Sequence, residues 1–294
     1  MNPNRIIFPT DLSPESQNAL RYTYQFARSY NMDLSVLHVY KPLPLLSRTG
    51  WIPRRQKSQA WSRLTKFAQI APDHCIPEGL SLMLRKGDAQ EQIVKASKED
   101  GCRFIAMGKK HAYSAFKKII GTKTTGVIAQ AECPVLVIPA NFTFRPIHNI
   151  LIVGGEYQKL NPTVQSCILQ MSIKFKADLH YINVEESGAS TWALRKELLH
   201  NSNFLIQKSV PAEYIYELLP EYIQEHQMDL IVMMSKRQNL FENLFEHAYH
   251  QGNLQQIDVP LLVFHRHYLE KKKQKNRKNG QSSLTAFRKR FITS

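Results

Sequence analysis

The sequence has no apolar run of about eighteen residues, so it predicts no transmembrane helix. Its first stretch, Met1 to Asp11, also lacks the charged start, the long apolar core and the small-residue cleavage site of a secretory signal. Both absences lead us to expect a cytoplasmic protein. A hydrophobic fraction of 43% is typical of globular proteins and predicts a packed core. A length of 294 residues leaves room for two domains.

Cysteine is scarce and scattered. The four cysteines, Cys75, Cys102, Cys133 and Cys167, form no Cys-x-x-Cys pair and no zinc-finger spacing. Because cysteine is among the most buried residue types and cytoplasmic thiols stay reduced, we expect four buried, reduced thiols. No metal site is predicted.

Catalytic motifs are missing as well. The sequence contains no Gly-x-Ser-x-Gly, no Gly-x4-Gly-Lys-Ser/Thr and no His-Glu-x-x-His. His38 lies in the middle of an apolar run, which predicts that it is a packed core histidine. We therefore assign no catalytic residue.

Positive charge dominates and is concentrated at the end of the chain. Residues 269–294 contain nine Lys and Arg and one Glu, so they contribute +8 of the net +15. Such a tail either binds nucleic acid or an acidic membrane, or is a solvated terminus. Density of charge alone does not decide between these roles.

Short apolar segments alternate with helix-like segments along the first half, which predicts a parallel α/β sheet covered on both faces. Ser13 and Pro14 indicate the cap and first position of the first helix, which runs to about Tyr30. A Pro-rich basic loop is predicted from Lys41 to Lys57. The remaining segments are strands Arg5–Pro9, Asp33–Val39, Leu80–Arg85, Phe104–Met107 and Glu132–Ile138, and helices Gln59–Ala71, Ala89–Glu99 and Thr122–Ala131.

The second half repeats this plan. His148–Val153 matches Asn4–Pro9, Ala177–Val184 matches Met32–Val39, Met228–Met234 matches Cys102–Gly108, and Asp258–Phe264 matches Glu132–Ile138. A repeat at so long a period indicates a duplicated domain, with the join near Asn141–Pro146. We predict domains at 1–142 and 147–268, followed by the basic tail at 269–294.

Several short motifs in the correct order resemble the universal stress protein family. They are Pro9-Thr10-Asp11, Leu37-His38-Val39, Gly87-Asp88, Gly108 with Gly121-Thr122, and Pro134-Val-Leu-Val. The resemblance covers about residues 1–268 and implies two tandem open parallel five-stranded sheets with helices on both faces, a Rossmann-like, adenine nucleotide alpha hydrolase-like fold. It also implies that the last strands of two domains pair, either within this chain as a pseudo-dimer or between two chains as a homodimer.

The resemblance also implies an adenine nucleotide site, for ATP with Mg²⁺, with at most a slow ATPase activity. Asp11 and Val39 match the positions that hold the adenosine, and Gly108, Gly121 and Thr122 match the phosphate loop, whose middle glycine is His111 here. Backbone N–H groups at a helix N-terminus favour phosphate. The candidate binding residues are Pro9, Thr10, Asp11, Val39, Met107, Gly108, His111, Gly121, Thr122 and Lys123.

Alternatives remain at the two decisive positions. Asp11 either contacts the nucleotide or only braces the turn before Ser13. His111 either obstructs the loop, if the backbone there needs glycine, or donates to a phosphate. The second half has lost the site, because Val153-Gly154-Gly155 replaces Pro9-Thr10-Asp11 and His247-Ala248 replaces Gly121-Thr122.

Two functions follow. The first is a stress-response or signalling protein that binds an adenine nucleotide in its first domain. The second is a nucleotide-free scaffold or adaptor that binds protein partners, with the basic segment Arg48–Arg63 and its Trp51 and Trp61 as a contact surface. If both tryptophans only cover the sheet, that surface is lost.

Overall fold

The computed structural model describes residues 4–41, 51–108, 122–154, 162–185, 204–211, 215–235 and 258–265. Strands and helices alternate from the first residues onward, as the apolar periodicity predicts. In the first half they are β1 (Arg5–Thr10), α1 (Glu15–Ser29), β2 (Asp33–Tyr40), α2 (Trp51–Phe67), β3 (Leu80–Lys86), α3 (Ala89–Ser97), β4 (Cys102–Gly108), α4 (Thr122–Gln130) and β5 (Val135–Ile138).

The described part of the second half follows the same succession with fewer helices. Its elements are β6 (Asn149–Gly154), α5 (Pro162–Phe175), β7 (Asp178–Glu185), β8 (Phe204–Pro211), α6 (Ile215–Glu225), β9 (Leu230–Ser235) and β10 (Leu261–His265). No helix among the described residues is long and apolar enough to cross a membrane.

The described strands form one sheet in the order β3-β2-β1-β4-β5-β10-β9-β6-β7-β8. Neighbours within each half are parallel. The two halves meet where β5 pairs antiparallel with β10, in the register Leu261↔Val137, Leu262↔Leu136 and Val263↔Val135. The predicted α/β fold is confirmed, and the pairing of last strands implied by the family resemblance occurs within this chain.

Helices cover both faces of the sheet. Buried side chains of α1, α2 and α5 pack on one face, for example Leu20, Leu64 and Ile168. Those of α3, α4 and α6 pack on the other face, for example Ile93 and Val127. Because successive strand residues point to opposite faces, each buried strand contributes to both cores.

An aromatic cluster joins the two halves on the α1 face. The ring of Phe26 lies 5.7 Å from that of Phe175 in α5, and the ring of Tyr30 lies 5.6 Å from it. Tyr22 contacts Phe142 and Phe144 in the connecting segment at 5.9 and 5.4 Å. Each aromatic pair adds about 0.5–1.5 kcal/mol to the burial itself.

Polar contacts fix the segment between β5 and β6. Asp229 is buried and accepts hydrogen bonds from the backbone N–H groups of His148 (2.7 Å) and Asn149 (3.0 Å). Its second oxygen lies 2.6 Å from Nε of Arg145. At the other end of the segment, the Asn18 amide donates to the carbonyl oxygens of Ala140 and Phe142. The connection is therefore held by both halves.

Three local predictions are wrong. Residues 51–57 begin α2 instead of continuing a loop, because Pro53 lies in the first helical turn, where its missing N–H costs nothing. Pro14, and not Ser13, occupies the N-cap position of α1, which begins at Glu15. Cys75 is exposed and Cys102 half-buried, whereas Cys133 and Cys167 are buried as predicted, and all four are free thiols.

One close approach sets the position of α1 over β4. A Cβ atom added at Gly108 would lie 3.0 Å from Cβ of Ala19. That distance is shorter than an ordinary carbon–carbon contact, so glycine at this position has a packing reason independent of any ligand.

We predict that Gly108→Ala lowers the free energy of unfolding by about 1–3 kcal/mol through overpacking. Adding Ala19→Gly removes the clash, so the two substitutions should be non-additive in urea unfolding. Ala19→Gly alone costs about 1 kcal/mol as a helix substitution. Ala27→Gly, elsewhere on α1, is the matched control and should combine additively with Gly108→Ala. Additive effects at Ala19 would contradict the contact.

A buried histidine makes stability depend on pH. His180 is 4% exposed, its Nδ1 lies 2.9 Å from the Tyr222 hydroxyl, and its ring lies 5.3 Å from that of His226. Burial first, and His226 second, lower the pKa of His180 below its ordinary value, partly opposed by Asp178. The folded state therefore binds the proton less readily than the unfolded state does.

We predict that the free energy of unfolding falls as the pH drops below about 6.5, the unfolded pKa of histidine, because only the unfolded chain gains the proton. His180→Gln should flatten this slope in urea unfolding measured between neutral and mildly acidic pH. An unchanged slope in the variant would assign the effect to other groups.

Candidate functional site

Three neighbouring strands bring the predicted site residues to one edge of the sheet. The order β2-β1-β4 places Thr10 and Asp11, Val39 and Tyr40, and Met107 and Gly108 at adjacent carboxyl ends. α1 leaves β1 over one face, and α3 leads into β4 over the other. The gap between β1 and β4 is therefore the point where the strand order reverses, which is where ligands bind in open α/β sheets.

The pairing of β1 with β4 ends before either strand does. The register runs only to Ile7↔Ile105, whereas β1 pairs with β2 as far as Thr10↔His38 and β4 pairs with β5 as far as Gly108↔Ile138. The last residues of β1 and β4 are thus not paired with each other, at the switch point where open α/β sheets have their ligand crevice.

Proline explains this early ending. The N–H of Arg5 donates to Gly101 O on the β4 side, and Asn4 O accepts from Asp33 N on the β2 side. Backbone groups alternate sides along a strand, so position 9 faces β4. Pro9 has no N–H to donate there, and the ladder stops.

The second half lacks this interruption. Val153 occupies the position that matches Pro9 and carries an N–H group. The β6–β9 register accordingly continues to Val153↔Met233, two residues beyond the pair Leu151↔Ile231 that matches Ile7↔Ile105. The matching edge of the second half is paired where the first is open.

A compact turn presents Asp11 at the mouth of the crevice. Oδ1 of Asp11 accepts hydrogen bonds from Ser13 N (3.1 Å) and Ser16 Oγ (3.2 Å), and Oγ1 of Thr10 accepts from Leu12 N (2.9 Å). Leu12 has a φ of 64°, an uncommon left-handed conformation for a leucine. Asp11 therefore does brace the turn, and its carboxylate is also exposed.

The side chains on the α3 and α4 face of this edge are apolar. Met107 is buried in the core beneath α4, and Val39 is half-buried against the same core. Pro9 is buried and follows Ile7, another member of that core, by two positions. Val39 is therefore the partly exposed apolar side chain at the edge where Asp11 is exposed, and Met107 and Pro9 are buried.

The phosphate-loop prediction lies mostly outside the described residues, including His111 and Gly121. Thr122 and Lys123 are the first two residues of α4, as predicted. α4 packs close to α3, because a Cβ atom at Gly126 would lie 2.6 Å from the Gln90 amide group. The N-terminus of α4 therefore lies on the same face of the sheet as Met107 and Val39.

His38 is not the packed core residue that the sequence predicts. It is half-buried, and its Nδ1 lies 3.0 Å from the carbonyl oxygen of Thr10. Because a carbonyl only accepts, Nδ1 carries the proton and donates, so the ring ties β2 to the turn that holds Asp11. Apolar periodicity gave no sign of this bond.

Sequence reasoning also missed an open cavity on the α2 side of the same edge. It measures about 460 Å³ and is lined by His38, Tyr40, Lys41, Gln56, Gln59, Ala60, Ser62 and Arg63. Lys41 pairs with Asp88 at 3.3 Å, and Asp88 caps α3 by accepting from Glu91 N at 3.2 Å. These contacts lower the pKa of Asp88, with the backbone N–H of Glu91 as the main cause.

Comparison with solved structures supports the fold over both halves. A universal stress protein from Archaeoglobus fulgidus DSM 4304 is 23% identical with a TM-score of 0.64, and the match covers 90% of this chain and 97% of that one. A putative universal stress protein from Pseudomonas aeruginosa UCBPP-PA14 is 17% identical with a TM-score of 0.52, covering 89% and 93%. No curated protein matches the sequence significantly.

The sequence profile described as the Universal stress protein family matches residues 3–139. This range contains β1 to β5, the crevice between β1 and β4, and the motif residues from Pro9 to Thr122. The resemblance suggested by those motifs is confirmed for the first half of the chain, where residues 3–139 match the universal stress protein family.

Proposed function

We propose that this chain is a cytoplasmic stress-response or signalling protein that binds an adenine nucleotide, ATP with Mg²⁺, at the β1–β4 edge of its first domain, residues 1–142. The second domain, residues 147–268, binds none and serves as its structural partner. The observation that carries the proposal is the early end of the β1–β4 ladder at Ile7↔Ile105, beside the exposed carboxylate of Asp11.

The chemistry of this edge suits the two ends of a nucleotide. Val39, half-buried against the core that contains Met107, offers apolar contact for a base next to the buried Pro9, and the exposed Asp11 carboxylate can accept hydrogen bonds from an amine or a ribose hydroxyl. The N-terminus of α4, with Thr122 and Lys123, suits the phosphates. His111 and Gly121 complete the loop in this proposal, and Mg²⁺ accompanies the phosphates.

Two features of the second half support its role as a partner. Its β6–β9 ladder continues past the point where β1 and β4 separate, and Gly154 stands where Thr10 precedes Asp11. An edge that stays paired and carries no carboxylate lacks both features that support the proposal for the first half.

The direct test is to purify the full chain without added nucleotide, denature it and identify the released small molecules. ATP and other adenine nucleotides are then titrated into the stripped protein, with and without Mg²⁺. We expect binding that raises Tm by mass action and is lost in Gly121→Trp, which fills the phosphate end of the loop. No release and no binding would overturn the proposal.

We predict that Asp11→Asn weakens ATP binding about 10- to 100-fold, because a hydrogen bond to a charged acceptor contributes about 1.5–3 kcal/mol. The asparagine oxygen still accepts from Ser13 N and Ser16 Oγ, so the turn and the Tm should be preserved. Isothermal titration and a thermal melt separate the two effects.

The matched control is Asp100→Asn, which removes one exposed carboxylate from the turn between α3 and β4, at the opposite edge of the sheet. It should leave ATP affinity unchanged. Equal affinities for the Asp11 and Asp100 variants would limit Asp11 to bracing its turn.

One observation favours a second function, a nucleotide-free scaffold or adaptor. Trp61 on α2 is 46% exposed, so it does not cover the sheet, and the exposed Arg54 and Lys57 lie on the same face of the helix. Tryptophan beside basic residues is common at the centre of protein interfaces. The basic tail would add contacts to nucleic acid or to an acidic surface.

The adaptor function is tested with Trp61→Ala. Ile173→Ala is its matched control, because Ile173 on α5 is the other large apolar side chain exposed among the described residues, at 77%. Protein partners captured by the wild type should be lost in the Trp61 variant and retained in the Ile173 variant. Loss in both variants, or in neither, would argue against a contact surface on α2.

A further inference from the structure

Two cysteines that are distant in sequence meet at the opposite edge of the sheet. Cys102 is the first residue of β4, and Cys133 lies just before β5, which pairs with β4. Their Sγ atoms are 3.6 Å apart, although the residues are separated by 31 positions. The contact lies at the amino ends of the strands, away from the proposed nucleotide edge.

The two thiols differ in access to solvent. Cys133 is 3% exposed and belongs to the core beneath α3 and α4, whereas Cys102 is half-buried at the rim of that core. The contact with the Cys102 thiol, followed by burial, raises the pKa of Cys133 well above its usual value. Cys102 is therefore the thiol that a small oxidant reaches first.

We propose that Cys102 and Cys133 form a peroxide-sensitive modification site that closes to an intramolecular disulfide. The Cys102 thiol loses its proton and the thiolate attacks the peroxide, so that an S–O bond forms, the O–O bond breaks, and the departing hydroxide takes up that proton as water. Cys133 then loses its proton and attacks the sulfenic sulfur of Cys102. The S–S bond forms, the S–O bond breaks, and a second water leaves, so the two thiols supply the two electrons that reduce the peroxide.

The geometry requires little movement. A disulfide places its sulfur atoms about 2.05 Å apart, so the thiols must approach by roughly 1.5 Å from their present 3.6 Å. Since β4 and β5 are already held in register by Ile105↔Val135, closure needs no new arrangement of the strands.

The disulfide would close a loop that contains the proposed phosphate end of the nucleotide site. The chain between the two cysteines contains β4, residues 109–121 and α4, which together form the proposed phosphate end of the nucleotide site. A bridge at this base restricts the unfolded chain over the whole segment, so the oxidised protein is expected to be more stable. The inference does not depend on nucleotide binding, because it rests on the opposite edge of the sheet.

The other two cysteines provide internal contrast. Cys75 is exposed, and its side chain contacts Asp73, which raises the pKa of Cys75. Cys167 is buried in α5, and burial raises its pKa to about 11. Replacing both leaves Cys102 and Cys133 as the only cysteines of the chain.

The experiment uses the full chain with Cys75→Ser and Cys167→Ser, fully reduced and then treated with hydrogen peroxide. We expect intact mass spectrometry to show the loss of two hydrogens, and thiol titration under denaturing conditions to find no free thiol. A peptide digest without reductant should contain the segments of Cys102 and Cys133 linked together. Tm should rise by roughly 5–10 °C and return on reduction.

The control adds Cys102→Ser, a conservative change at the half-buried position. Without Cys102, the buried Cys133 should stay reduced at the same peroxide dose. The proposal is overturned if both thiols stay free in the parent protein. It is also overturned if Cys102 proceeds to sulfinic acid while Cys133 remains a thiol, or if the disulfide joins two chains.

Discussion

The antiparallel pairing of β5 with β10 is the contact on which the whole architecture depends. Each half contributes parallel strands that end in a short apolar strand, and a strand of that kind with an unpaired side is prone to aggregate. Joining Val135–Ile138 to Leu261–His265 removes both edges at once and makes one sheet of the ten described strands. The pairing also brings α1 close to α5, so that Phe26 and Tyr30 pack on Phe175. In the segment that connects the halves, Arg145 forms an ion pair with Asp229 of the second half.

The two halves show how one backbone group can separate a candidate site from a structural copy of the same fold. Pro9 and Val153 occupy matching positions, and the strand orders around them are the same. Proline lacks the donor that would extend the ladder toward β4, whereas valine has it, and the register of β6 with β9 continues accordingly. The two edges also differ in their side chains. Asp11 stands beyond the interrupted strand, and glycine follows the uninterrupted one.

The sequence predicts the strands well, because short apolar runs rich in Val, Ile and Leu are typical of strands buried on both faces of a parallel sheet. It predicts the candidate site only in outline. The residues of the carboxyl edge follow from the strand order of the resembled family, but the effect of Pro9 depends on which neighbour position 9 faces, and composition does not contain that information. The Pro-rich segment before Lys57 predicts a loop, but Pro53 lies in the first turn of α2, because proline breaks the interior of a helix and suits its first turn. The contacts of His38 with Thr10 and of Cys102 with Cys133 are made across strands, where spacing along the chain says nothing about distance.

The aromatic cluster between α1 and α5 has a thermodynamic consequence. Because Phe26 and Tyr30 pack against Phe175 across the two halves, each half loses part of its packing once the other unfolds. The halves should therefore melt as one cooperative unit, and any ligand that stabilises one of them protects the other through linkage, without touching it. A half with no ligand of its own can in this way set the population of binding-competent molecules, and substitutions in it would change apparent affinity through the folded fraction alone.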